Sequence, residues 1–246
     1  MSSVSLSPAV VSELVFSQTG LALISLLLTL FCYFAAKRLY KRHRVWWLAP
    51  IVLAPVVITL LVFNLDIPLP TYFEYTHWLM ALLAPATIAF ALPIYRERKL
   101  IRQYPLTIAL GVVAGLLLGM VSSWLLVKFV PLPVELAKSL LVRSVSTPFA
   151  MEATSAFGGV PELTAMMVLI TGIIGMLVCE PLFKLMHIRT SLGKGVALGA
   201  SAHGAGAAKA SELGQQEGVI ASLTMVIAGI LMVLIGPFAI HLWLLL

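Results

Sequence analysis

The chain has 246 residues, 61% of them hydrophobic and 11% charged, with a mean hydropathy of +1.05 and a formal net charge of +6. That composition excludes a soluble globular domain, because apolar runs beyond ~18 residues read as membrane-spanning helices. The runs are continuous rather than alternating, which excludes a β-barrel, and the basic residues cluster in short loops, where they orient a membrane protein rather than bind nucleic acid.

Residues 1–13 carry no basic n-region and no clear cleavage site, so no removable signal is expected; Ser7, Pro8 and Glu13 read as an interfacial lead-in. The first span is predicted from Val15 to Ala36, followed by Lys37, Arg38, Lys41, Arg42 and Arg44. The second runs from Trp46 to Leu65, anchored at the interface by Trp46 and Trp47. The next loop holds Asp66, Pro68, Pro70 and Glu74 and no base. The third span, His77 to Tyr95, contains Pro85, which removes a helix hydrogen bond and predicts a kink or interruption within the membrane. Arg96, Arg98, Lys99 and Arg102 follow it. The fourth span, Tyr104 to Phe129, repeats Gly111, Gly115 and Gly119 every four residues, which makes one small-residue face for close packing.

The basic loops at 37–44 and 96–102 are assigned to the cytoplasm, and 66–76 to the outside. Pro161 to Leu185 is a clear span, closed by Lys184, His187, Arg189 and Lys194, which also belong inside. Residues 134–160 must then enter and leave from the outside, and 191–216 from the inside. The last span runs from Gly218 to about Leu244. The expectation is an all-α polytopic membrane protein with about six transmembrane helices and two oppositely oriented re-entrant or broken-helix segments, with both termini periplasmic. Residues 1–130 form a four-span scaffold and 131–246 a second unit, built from repeats at about 134–185 and 191–244.

The two broken segments share a frame. Ser146, Ala150 and Ala153 fall on Ser201, Ala205 and Ala208, and Glu162 falls on Glu217. With slips of one to three residues, Lys138 falls on Lys194, Gly172 on Gly229 and Pro181 on Pro237. Opposed broken helices form an inverted repeat, an arrangement that places a binding site near the bilayer midplane.

Ser146, Thr147 and Pro148 spell a helix start, with a hydroxyl cap and a proline in the first turn. The free amides and positive dipole end of such a start hold anions, and Arg143 just before it can grip a carboxylate with two parallel hydrogen bonds. Ser201 and His203 occupy the second break, Gly204 and Gly206 permit close backbone approach, and Lys209 follows. Pro85 and Thr87 at the break in the third span are counted with the binding candidates. Plainer roles stand beside these. Arg143 can snorkel to the interface, Ser146 and Thr147 can satisfy a packing kink, His203 can bond a carbonyl in the core, and Lys209 can reach a loop. Glu152 is a carboxylate inside a membrane segment, open to pairing with Arg143 or Lys209 or to carrying a coupling proton. Glu162 beside Pro161 reads as a structural helix start. Cys32 and Cys179 lie in apolar runs and make neither a disulfide framework nor a metal site. No metalloprotease, phosphate-loop or nucleophile-elbow motif is present, so no enzyme, cofactor or metal is expected.

Several stretches carry a resemblance: Tyr72-Phe73-Glu74, Pro85 to Tyr95, Arg143 to Ala150, Gly158-Gly159-Val160-Pro161, and Gly199 to Gly206. Together they resemble the LrgB/CidB family of bacterial membrane proteins over nearly the whole chain, from about Leu21. Three positions depart from the family's pattern. Arg143 stands where lysine is frequent, Ser146-Thr147 where Thr-Thr is frequent, and Ala207 where a hydroxyl is frequent. The resemblance implies control of murein hydrolases and autolysis, with a small holin-like partner of the LrgA/CidA type. It also implies carriage of glycolate and glycerate, as in plastid relatives, or of pyruvate, as in bacterial ones. A small monocarboxylate agrees with the cationic site read from the residues. The expected function is therefore a secondary transporter or facilitator of such acids in the bacterial inner membrane, with a holin-like regulator as the rival. The substrate acid, the lipid bilayer and the holin-like protein are the expected partners; self-association is left open and nucleic acid is not expected.

Overall fold

The computed structural model describes residues 17–89, 91–130 and 132–245, and all regular structure among them is helical. The predicted lead-in at Ser7, Pro8 and Glu13 and the start of the first span at Val15 lie outside these residues. By Cα proximity the chain divides into two compact units, 1–83 and 84–246.

In the first unit, α1 (Gln18–Arg42) starts where the Ser17 hydroxyl accepts from the Gly20 amide at 3.1 Å, and it ends in Lys41 and Arg42, which suit the negative end of its dipole. A 3-10 turn (Trp46–Leu48) leads into α2 (Pro50–Asn64), and α3 is Leu69–Ala81. Thr29 on α1 and Tyr72 on α3 share a hydrogen bond of 3.1 Å.

Three short helices follow, α4 (Leu83–Ala89), whose first residue closes the first unit, then α5 (Ala91–Arg96) and α6 (Arg98–Gln103) in the second. The second unit continues with α7 (Pro105–Phe129), α8 (Val134–Leu141), α9 (Thr147–Ala156), α10 (Pro161–Leu185), α11 (Ser191–Leu213) and α12 (Gln215–Leu245).

Among the described residues, four helices are long and apolar enough to cross a membrane: α1, α7, α10 and the 215–239 part of α12. The sequence predicts six spans; the second differs, and the third carries the interruption expected at Pro85. The second is the 15-residue α2, about 22 Å long against a ~30 Å hydrocarbon core. The third is interrupted: α3 stops at Ala81, whose carbonyl a Pro85 N–H would otherwise have bonded.

By Cα proximity the fourth predicted span falls in the second unit. The fourth apolar helix, α7, groups with the C-terminal elements because its glycine face is spent on them. Gly111 faces the Val196 side chain and Gly119 faces Ser144. A Cβ on Gly115 would stand 2.8 Å from the Ala200 Cβ and 3.1 Å from its carbonyl oxygen. The opposite face of α7 carries the exposed Leu106, Leu117 and Leu118. In lipid, leucine gains little by leaving one apolar phase for another, so close backbone approach through glycine is what binds these helices.

Two segments turn back on themselves. In α11, His203 has φ 46° and ψ −121°, outside the helical region. Lys194 and Leu213 nevertheless line one cleft, where a straight helix would hold them about 28 Å apart. Gly206 packs against the Leu198 carbonyl, so residues 191–202 and 204–213 run back beside one another. In the other segment the chain leaves α8 at Val142, forms α9, and returns so that the Val160 amide donates to the Ser139 hydroxyl at 2.8 Å. Thr164 seals this return, sharing a 2.9 Å hydrogen bond with Thr154 and donating to the Ser139 carbonyl at 3.1 Å. Each reversal is followed by a long helix, α10 after the first and α12 after the second.

The glycine contacts make a prediction. Gly115→Leu is expected to separate α7 from Ala200 and destabilise the fold by roughly 1–3 kcal/mol or more. Leu118→Ala on the lipid-facing side is expected to be near neutral. Thermal unfolding of the detergent-purified variants distinguishes the two.

Candidate functional site

Both reversals reach the same place. On α7, Gly119 meets Ser144 of the first reversal and Gly115, one turn away, meets Ala200 of the second. On α10, Thr171 bonds Arg143 and its neighbour Gly172 packs on the Ala202 carbonyl and the Ala205 methyl. His203 approaches the Ser144 backbone and the Arg143 guanidinium. The predicted partners Arg143 and His203 are thus brought together.

Arg143 is half-buried and held entirely by hydroxyls. Its Nε donates to Ser123 Oγ at 3.1 Å, Nη1 to Thr171 Oγ1 at 3.2 Å, and Nη2 to Ser122 Oγ at 2.8 Å. The single proton of Ser123 Oγ is shared between the carbonyls of Leu140 and Gly119, both at 2.9 Å. No carboxylate among the described residues lies within ion-pair reach of Arg143. A guanidinium has five N–H donors, so one on Nη1 and one on Nη2 stay uncommitted. A cation withdrawn from water with neutral partners only is costly, and an anion carrying two oxygens would match both free donors.

Around Arg143 other polar groups are unsatisfied. Ser144 Oγ and both ring nitrogens of His203 are buried without a hydrogen-bond partner. Each such orphan costs about 1–3 kcal/mol. His203 also sits at positive φ, a backbone strain on the order of 1–3 kcal/mol for a residue other than glycine. At the start of α9, Ser146 has N-cap geometry with Pro148 in the first turn, as the sequence predicts, but its side chain makes no cap hydrogen bond. The first amides of α9 therefore lack the expected hydroxyl.

Other candidates fall differently. Thr147 and Pro148 are half-buried in the first turn of α9. Ser201 is exposed and spends its hydroxyl on the Ala197 carbonyl at 2.7 Å. Gly204 is exposed, and an added Cβ there would meet nothing within 4 Å, so space opens beside the second reversal. Lys209 is committed to Glu180 at 2.6 Å, with Glu212 at 3.8 Å. Glu152 is exposed on α9 and has no ion pair among the described residues, so neither pairing considered for it is present. Pro85 is exposed in α4, and the side chain of Thr87 lies outside the described residues. Glu162 stands in the first turn of α10, as expected of a helix start.

Four members of the site were not picked out from the sequence: Ser122, Ser123 and Thr171, which hold Arg143, and Ser144. Their signal was available as hydroxyls in apolar runs, but such residues also bond their own helix, so the signal does not select them.

These features define an all-helical membrane protein with an uncompensated cation where two reversed segments meet. The chain belongs to the LrgB-like family, which matches residues 29–242. It is 34% identical over 218 residues to YwbG of Bacillus subtilis (strain 168), covering 89% of this chain and 97% of that protein. To YxaC of the same organism it is 32% identical over 226 residues, 92% of this chain and 98% of that protein. It is also 32% identical over 160 residues to the Bacillus subtilis antiholin-like protein LrgB, 65% of this chain and 69% of that protein. No solved structure matches the chain at a significant level.

The orphan groups predict unequal effects of two serine substitutions. In protein without ligand, Ser144→Ala removes an unpaired hydroxyl and is expected to leave the melting temperature unchanged or raised. Ser139→Ala strands the Val160 amide and is expected to cost about 1–3 kcal/mol. Melting curves of the two purified variants test this.

Proposed function

We propose that this protein is a carrier, not an enzyme, that moves small monocarboxylates of the glycolate, glycerate or pyruvate type across the bacterial inner membrane. The observation that carries this reading is Arg143, held by three hydroxyls, unpaired with any described carboxylate and left with two free N–H groups. A carboxylate takes both N–H groups in parallel, and the uncapped first turn of α9 after Ser146 favours the same negative charge. Thr147, Pro148, His203 and Gly204 border the remainder of the acid. The 2.6 Å pair between Lys209 and Glu180 argues for a structural role for that lysine.

The two reversed segments are read as an inverted repeat, one entering from each side of the membrane, with both termini periplasmic. Such a pair carries a solute when Arg143 is exposed to either side in turn. Glu152, exposed and unpaired, is the candidate for a coupling proton.

A second reading has its own support in the similarity to a protein named antiholin-like. In it, the chain regulates murein hydrolase activity and autolysis together with a small partner of the LrgA/CidA type, and Arg143 has no solute to bind.

Uptake of labelled glycolate and pyruvate into proteoliposomes that hold only this protein separates the two readings. The carrier reading expects saturable uptake, reduced at least 100-fold in Arg143→Ala and less in Arg143→Lys, which keeps the charge but not the two-pronged geometry. Uptake that is unchanged in folded Arg143→Ala protein removes the site. Uptake that appears only when the small partner is added makes this chain a subunit.

A further inference from the structure

We infer that the cleft where α10 turns into α11 binds a phosphate monoester, carried either by a lipid or by a soluble molecule. The cleft shares no lining residue with the site around Arg143, and the inference does not rest on the carboxylate reading given above.

The cleft holds about 500 Å³. Lys184, His187, Arg189 and Lys194 all line it, and none of them has an ion pair among the described residues. Glu180 is the carboxylate among the lining residues, and Lys209 takes it at 2.6 Å. Glu212, the next carboxylate along, is drawn to the same lysine at 3.8 Å. Lys184 lies near enough to Glu180 to feel its charge but beyond ion-pair distance. Two lysines and an arginine therefore face one space whose carboxylate is already spent.

Folding alone gives no reason for this convergence. Arg189 and Lys194 bracket the start of α11, the positive end of its dipole, where an acidic side chain is favoured and none stands in the first turn. Lys194 is half-buried as well. Cations that only orient a membrane protein need to lie near its surface, and they gain nothing by lining one cleft. A bound anion gains from the three charges and from the helix start together.

The link between the helices is firmly built. The His187 amide donates to the Lys184 carbonyl at 3.3 Å and the Ile188 amide to the Phe183 carbonyl at 2.9 Å, with His187 at φ 55°. This pair of bonds is a helix stop that glycine usually makes. Phe183 and Ile188 belong to one apolar cluster and also line the cleft, so the backbone that carries its cations is held in place.

Three cations call for more than the single charge of a monocarboxylate. A phosphate monoester brings about 1.5 to 2 negative charges and three acceptor oxygens. Leu185 and Met186, next to the cleft in the chain, are 74% and 66% exposed, an apolar border that suits the acyl chains of a lipid. A soluble ester would use the cleft alone.

The test is thermal unfolding of the full chain in detergent, since a ligand that binds only the folded state raises the melting temperature saturably. The additions are glycerol phosphate, phosphatidic acid, phosphatidylglycerol and sodium glycolate, all at constant ionic strength. A rise with phosphatidic acid alone identifies a lipid ligand, and a rise with glycerol phosphate a soluble one; either supports the proposal. Arg189→Gln and Lys194→Gln are each expected to weaken that binding roughly fivefold, and the double variant roughly 25-fold. Lys99→Gln, an exposed cation outside the cleft, is expected to leave it unchanged. Without ligand, Lys194→Gln is expected to melt at the same temperature or higher, because it removes a cation from the positive end of a helix. Should that variant not fold, the exposed Arg189 carries the test. Equal weakening by Lys99→Gln, or an equal response to phosphatidylglycerol, shows a general surface charge effect and overturns the proposal. An equal response to glycolate makes the cleft a carboxylate site and overturns it too, as does no response to either monoester.

Discussion

A helix that ends among packed apolar helices leaves amide and carbonyl groups where water cannot reach them, and this protein breaks helices in that way at two places, before Ser146 and at His203. The rest of the second unit follows from meeting that demand. At the first break, Ser123 on α7 donates to the Leu140 carbonyl at the end of α8, and Ser139 accepts from the returning Val160 amide. Both hydroxyls come from apolar stretches and both act on another part of the chain. At the second break, α7 and α10 supply no hydroxyl to the chain; they supply glycines that let the reversal sit against them.

The same arrangement explains why Arg143 can be where it is. Ser123 bonds the end of α8 and accepts from the arginine, so one side chain both closes a helix terminus and fixes the guanidinium. The hydroxyl set positions the charge without neutralising it. Had one of these positions been a carboxylate, Arg143 would form a closed structural pair like that of Lys209 and Glu180. The contrast between the two cations separates a group fixed by its partners from one left available.

Much of this was legible in the residues. Glycines four apart marked the packed face of α7, Pro161 and Glu162 marked the start of α10, and Ser146 to Pro148 marked the start of α9. These are local signals, each written within one or two turns of helix. What could not be read was long-range. Lys209 and Glu180 stand on different helices, and periodicity within either one gives no register between them. Ser144 and the three hydroxyls around Arg143 acquire meaning only once α7, α10 and the first break are brought together. The second span diverged because the hydropathy of a stretch measures its affinity for lipid but not the length or continuity of its helix. Proline and chain geometry set that continuity, and α3 ends four residues before Pro85.

The reversal in α11 also bears on how the protein is made. Its 23 residues are rich in glycine and alanine, carry Lys194, Lys209 and Glu212, and fold back at His203. A segment of this kind offers lipid little side-chain surface, so it depends on its neighbours for packing. Its packing surfaces lie on α7 and α10, made earlier, and on α12, made later, where Gly199 meets Ala221 and Gly195 meets Ile220. The packing of α11 is therefore incomplete until α12 has been made. One face of the reversal is thus buried by a helix that follows it in the chain.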